Sequence, residues 1–131
     1  MDLPVLIDSN VYIDLLRQGL DPALELTGRI SQLDLASCGI VRVEVLRGIK
    51  VEKVRSRLAA FFDVTQNVPT DNYLWEEAAE LAWTLDRRGK VIPSTDILIA
   101  CCARRIGATV LTADAHFSGI PGLRMRKWPI G

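Results

Sequence analysis

Residues 6–14 read Leu-Ile-Asp-Ser-Asn-Val-Tyr-Ile-Asp (LIDSNVYID), and the way the chain passes Asp8 decides the fold. The run Leu3–Asp8 (LPVLID) reads as a buried strand, and residues 10–17 read as a helix with Asn10 as its N-cap. A carboxylate at the end of an apolar strand is costly to desolvate. Asp8 either bonds the amides of the turn and caps the following helix, or it is placed there to hold something. The residue alone leaves both readings open.

Outward from this unit, strands and helices alternate. Asp21-Pro22 is an N-cap and N1 pair, predicting a helix over residues 21–32. Residues 33–41 (LDLASCGIV) predict a short strand and turn, followed by a helical stretch containing VEVLRG. Val51, Val54, Leu58, Phe61 and Phe62 recur at helical spacing, and Asp63-Val64-Thr65 is the next candidate strand. A long helix from Asp71 to Arg88 buries Leu74, Ala78, Leu81 and Leu85. The next helix runs from an N-cap at Ser94 to about Ile106, stopped by Gly107, and is apolar nearly all round from Ile97 to Ala103. Residues 108–114 (ATVLTAD) predict a strand ending in an aspartate, and a basic strand near Leu123–Lys127 closes the sheet. The pattern predicts an α/β/α sandwich with a mainly parallel central sheet.

A chain of 131 residues is long enough for one full core, so residues 1–131 are expected to form a single domain. The start MDLPVLID has neither the basic segment nor the apolar stretch of a signal peptide, and no apolar run approaches a membrane span; a cytoplasmic protein is expected. Cys38, Cys101 and Cys102 read as small buried thiols. With a single histidine, His116, no paired Cys or His stands at ligand spacing, which argues against zinc. Sixteen basic and sixteen acidic residues balance, so net charge does not announce a nucleic-acid partner.

Four acids stand at ends of elements or among apolar neighbours. Asp8 and Asp114 close two strands, and in a parallel sheet the carboxyl ends of the strands form the ligand crevice. Asp96 lies in a helix's first turn, where the dipole favours a carboxylate. Glu44 is flanked by valines expected to face the core, which would half-bury it unless Arg42 or Arg47 pairs with it. Each has a structural alternative: Asp8 as a cap, Asp96 as a dipole partner, Asp114 as a turn former. Gathered at one sheet edge, however, four carboxylates repel unless a cation joins them, and an all-oxygen site suits Mg²⁺ or Mn²⁺.

The ordered set LIDSNVYID, VRVEVLRG, PSTDILIA and LTADAHF, spanning Asp8 to about Trp128, resembles the PIN domain family, in particular toxins of the VapC type. The resemblance implies a catalytic and metal-holding quartet of Asp8, Glu44, Asp96 and Asp114, with Mg²⁺ or Mn²⁺ as cofactor. It implies that Ser9 and Thr112 orient carboxylates or water, that Gly48 is a helix stop or close-packing site, and that His116-Phe117 packs. Proton transfer by His116 is an alternative to packing, and Asp14 reads as a helix-face residue with at most a supporting part. The implied activity is an endoribonuclease that hydrolyses a structured RNA, a tRNA or rRNA, by metal-activated water. The implied partners are a cognate VapB-type antitoxin and a second copy of the chain in a homodimer.

With the quartet set apart, twelve acidic residues face sixteen basic ones, an excess that suits an RNA surface. Arg17, Arg47 and Lys90 lie near the motifs and are the candidate RNA contacts. Alternative readings are a PIN nuclease of housekeeping RNA processing and a catalytically silent PIN scaffold that binds RNA or protein. An aspartate-based phosphatase is disfavoured because no D-x-D follows Asp8.

Overall fold

In the computed structural model, residues 1–130 are described. Five strands, β1 (Val5–Ile7), β2 (Leu35–Cys38), β3 (Gln66–Val68), β4 (Thr109–Thr112) and β5 (Arg124–Lys127), form one sheet in the order β3-β2-β1-β4-β5, with every pairing parallel. Helices α1 (Ser9–Arg17), α2 (Pro22–Thr27), α3 (Gly39–Leu46), α4 (Glu52–Val64), α5 (Asn72–Arg87) and α6 (Ser94–Arg105) flank it. The chain builds outward from β1 through β2 to β3, then returns to lay β4 and β5 on the other side of β1. That reversal makes the β1–β4 seam a switch point, where a crevice opens beyond the strand ends.

The central strands are apolar because both faces of the sheet are covered: β1 is buried throughout, as are Leu35, Ala36 and Cys38 of β2. Helix α6 is buried continuously from Ile97 to Ala103, as its all-round apolarity predicts. It ends where Gly107 takes φ +65°, a left-handed conformation that costs other residues. Helix α5 presents Leu74, Ala78, Leu81 and Leu85 to the core, and the Asp71 carboxylate caps it by accepting the Leu74 N–H at 3.0 Å. The three cysteines are free and buried. No described helix is long and apolar enough to cross a membrane.

Several boundaries differ from expectation. The N-cap of α1 is Asp8, not Asn10, because the chain turns immediately after β1. The second helix stops at Thr27, with Gly28 at its cap, and residues 32–34 form only a 3₁₀ turn. Helix α4 continues through Asp63 and Val64, and the following strand is Gln66–Val68. This edge strand buries only Val68 and so lacks an apolar signature. Pro93, not Ser94, occupies the N-cap position of α6. Strand β4 stops at Thr112, leaving Asp114 in the turn beyond it.

Replacing Ile99, fully buried in α6, with alanine is expected to cost ~2–5 kcal/mol in urea unfolding. Val43→Ala at a 59% exposed position should change stability by no more than ~0.5 kcal/mol.

Candidate active site

The register pairs Ile7 with Leu111, and the Asp8 N–H continues the ladder by donating to the Leu111 carbonyl at 3.0 Å. This brings Asp8 beside Thr112 at the carboxyl end of the seam. Asp8 is only 2% exposed. Its Oδ1 accepts the Ser9 N–H at 2.7 Å, so the capping reading holds, and its Oδ2 accepts the Thr112 hydroxyl at 2.7 Å. Burial pushes its pKa up to about 6; the two hydrogen bonds oppose that shift, and the charges of Asp96 and Glu44 add to it.

The Thr112 hydroxyl also accepts the Asp114 N–H at 2.9 Å and the Asn10 side-chain amide at 3.2 Å. Asn10, expected as a cap, instead laces α1 to the end of β4, since its Oδ1 also accepts the Ala113 N–H at 3.2 Å. The Ser9 hydroxyl stands between Glu44 Oε1 at 3.2 Å and Asp8 Oδ1 at 3.4 Å.

Glu44 lies on α3 and is half-buried, but its flanking valines do not share an environment. Val45 is buried and Val43 faces solvent, because residues two apart on a helix point to different sides. Arg42 is not its partner: the guanidinium pairs with Asp63 at 2.7 Å.

Asp96 sits in the first turn of α6, and burial raises its pKa, opposed by a hydrogen bond with His116. Asp114 caps the 3₁₀ turn Ala115–Phe117, its Oδ1 accepting the His116 N–H at 2.9 Å. Phe117 is buried, as packing requires, but His116 is not a packing residue. Its side chain is 51% exposed, and its Nδ1 lies 3.1 Å from Asp96 Oδ2 and 3.0 Å from Asp114 Oδ2. The Asp96 bond, followed by the Asp114 charge, raises the imidazole pKa.

The structure therefore brings Asp96, Asp114 and His116 into direct contact and joins Asp8 and Glu44 to them through the hydroxyls of Thr112 and Ser9. Sequence reading expected His116 to pack and gave it a place in the site only as the alternative of proton transfer. The available signal was its place two residues after Asp114. Asp14 acts away from this cluster, accepting the Trp128 indole N–H at 3.0 Å. Arg17 and Arg47 are exposed, Arg17 on the same groove as Glu44, whereas Lys90 donates to the Ser118 carbonyl and ties down the loop after His116.

These residues suit a divalent cation. Donor atoms of Asp96, Asp114 and His116 all lie within 4.8 Å of one another. Among the described residues, no Lys or Arg comes within ion-pair distance of Asp8, Glu44, Asp96 or Asp114. Asp8 and Asp96 are held above their ordinary range by burial, and among the described residues the only basic group beside the cluster is the His116 imidazole, an arrangement that an added cation stabilises.

The PIN domain family profile matches residues 5–123. The chain belongs to the PIN domain family, whose members are generally nucleases. Its fold is that of the toxin chains in VapBC-type assemblies. It is similar to a chain of the promoter-DNA-bound VapBC2 structure from Rickettsia felis, with 25% identity, TM-score 0.75, and 95% of this chain and 98% of that chain covered. It is also similar to DNA-bound VapBC from Salmonella typhimurium, with 20% identity, TM-score 0.79, and 97% and 99% covered. For FitAcB from Neisseria gonorrhoeae the values are 19% identity, TM-score 0.70, and 92% and 95% covered. No curated protein matches the chain in sequence.

Asp8 predicts a pH dependence of stability in metal-free protein. Its folded pKa, about 6, lies above the ordinary 3.8, so the folded state binds the proton better between those values. The stability it contributes is complete below about pH 4 and is lost as pH rises through 6, a loss of up to about 3 kcal/mol. Urea titrations in EDTA from pH 4 to 8 should show this fall in the wild type. Asp8→Asn should remove most of it.

Proposed function

We propose that the chain is a metal-dependent endoribonuclease of the VapC toxin type. Asp8, Glu44, Asp96 and Asp114 would hold Mg²⁺ or Mn²⁺, and the substrate would be a phosphodiester in a structured RNA, a tRNA or rRNA. The observation that carries this reading is the buried Asp8 at the switch point, gathered with acids from α3, α6 and the turn after β4 that have no Lys or Arg partner among the described residues. A divalent cation supplies Lewis-acid chemistry there, acidifying water and neutralising phosphate oxygens.

The chain's own part is positioning. Asp8 is locked by Ser9 and Thr112 and cannot swing away, while Glu44 is steered by the Ser9 hydroxyl. Asp114 has its Oδ1 tied to the backbone, which leaves Oδ2 facing the site. Attack of water on phosphorus with rupture of the P–O3′ bond, the 3′-oxygen leaving and taking up a proton, would give 5′-phosphate and 3′-hydroxyl ends. Arg17, exposed on the same groove as Glu44, and the exposed Arg47 would meet RNA phosphates.

A VapB-type antitoxin is the natural inhibitor for this arrangement. A groove of about 570 Å³ runs between the end of α1, the end of α3 and the start of α4, with Ile13, Leu16, Val45 and Val54 beside Arg17 and Glu44. An amphipathic antitoxin segment would bury its apolar face there and extend a basic side chain toward Glu44. The active chain is proposed to be a homodimer.

Asp8→Asn and Asp96→Asn are expected to lower RNA cleavage by at least about a hundredfold, the scale on which loss of one preorganised polar group acts. Both should relieve growth arrest on induced expression while circular dichroism stays unchanged. Cleavage near the wild-type rate by either variant would refute the site assignment. Saturating Mn²⁺ at about 100 times its Kd should stabilise the folded wild type by about 2.7 kcal/mol, read as a rise in melting temperature.

A further inference from the structure

We propose that His116 is itself a ligand of the divalent ion, and that its nitrogen makes the site prefer Mn²⁺ to Mg²⁺. The inference rests on the reading that this acidic site holds a divalent cation. Nδ1 stands 3.1 Å from Asp96 Oδ2 and 3.0 Å from Asp114 Oδ2. Two donors at right angles on an ion with bonds of about 2.1 Å are about 3.0 Å apart. Both edges drawn from Nδ1 thus have the length of edges of a coordination octahedron.

A ring nitrogen carries at most one proton, and both carboxylate oxygens can share it only in a three-centre bond. Without that proton its lone pair would face two anions. A cation among the three donors satisfies all of them.

The imidazole is also delivered to this position by local structure. The His116 N–H engages Asp114 Oδ1 at 2.9 Å, the neighbouring Phe117 is anchored in the core, and Lys90 fastens the next carbonyl, that of Ser118. Imidazole nitrogen suits transition ions, whereas Mg²⁺ is served by oxygen ligands. One nitrogen among carboxylates therefore shifts selectivity without closing the site to either ion.

The test uses the intact chain without a polyhistidine tag, loaded with Mn²⁺ and read by pulsed electron paramagnetic resonance. His116 is the only histidine, so the ¹⁴N coupling of a directly bound imidazole can come from no other residue. That coupling is expected in the wild type and absent in His116→Ala. The variant should bind Mn²⁺ roughly tenfold to a hundredfold more weakly while its Mg²⁺ affinity changes less, so the Mn²⁺ preference falls by about tenfold or more. His116→Asp, which restores an oxygen donor, should move the preference toward Mg²⁺. Mn²⁺ bound to the wild type without nitrogen coupling, or an unchanged Mn²⁺ preference in His116→Ala, would overturn the role of His116 and leave the acidic metal site standing. Failure of the wild type to bind Mn²⁺ at all would overturn both.

Discussion

The Thr112 hydroxyl has one proton to give and two lone pairs to offer, and all three are in use at the seam between β1 and β4. The proton goes to Asp8, and the lone pairs receive the Asp114 N–H and the Asn10 amide. One oxygen atom thus ties together the end of β1, the start of α1 and the turn that carries Asp114 and His116. Its position follows from the parallel register, which sets Ile7 against Leu111. A slip of one residue would turn Thr112 to the opposite face and leave Asp8 without its strongest support. The geometry of the acids is therefore inherited from the sheet.

That inheritance comes with an electrostatic penalty at the site. Several other acids have basic partners: Asp63 with Arg42, Glu77 with Arg104, Asp71 with Arg105 and Asp21 with Arg57. Asp8, Glu44, Asp96 and Asp114 have none among the described Lys and Arg residues, and burial raises the pKa of both Asp8 and Asp96. An arginine at the seam would relieve the repulsion by occupying the space in which a cation and a phosphate could meet. The continuous apolar burial of β1 and α6 supplies the stability that lets this corner remain uncompensated.

The fold was legible wherever the apolar pattern was strong. β1, α5 and α6 could be read directly, because a fully buried strand and a helix with one apolar face leave unambiguous periods. β3 could not, since it is an edge strand with one buried residue in three, and the helix before it simply continues past Asp63. The four acids were legible because carboxylates in apolar surroundings are conspicuous. The reading of Glu44 rested partly on a false premise, as Val43 faces solvent. Asn10 was misplaced because its amide bonds a strand about a hundred residues away, a contact that no local pattern records.

His116 was misread for a related reason, since one histidine before a phenylalanine looks like packing. Its role emerges only when β4 is followed past its end. Thr112, Asp114 and His116 alternate with the small residues Ala113 and Ala115, and each of the three reaches the site: Thr112 to Asp8, Asp114 to His116, and His116 to Asp96. The strand itself ends at Thr112; beyond it Asp114 caps the 3₁₀ turn Ala115–Phe117, and its hold on the His116 N–H sets the imidazole within that turn. The end of β4 and the turn after it thus present a hydroxyl, a carboxylate and an imidazole in succession. If His116 is a ligand as proposed, the donor set would be altered at residue 116 without disturbing the hydrogen bonds that hold Asp8.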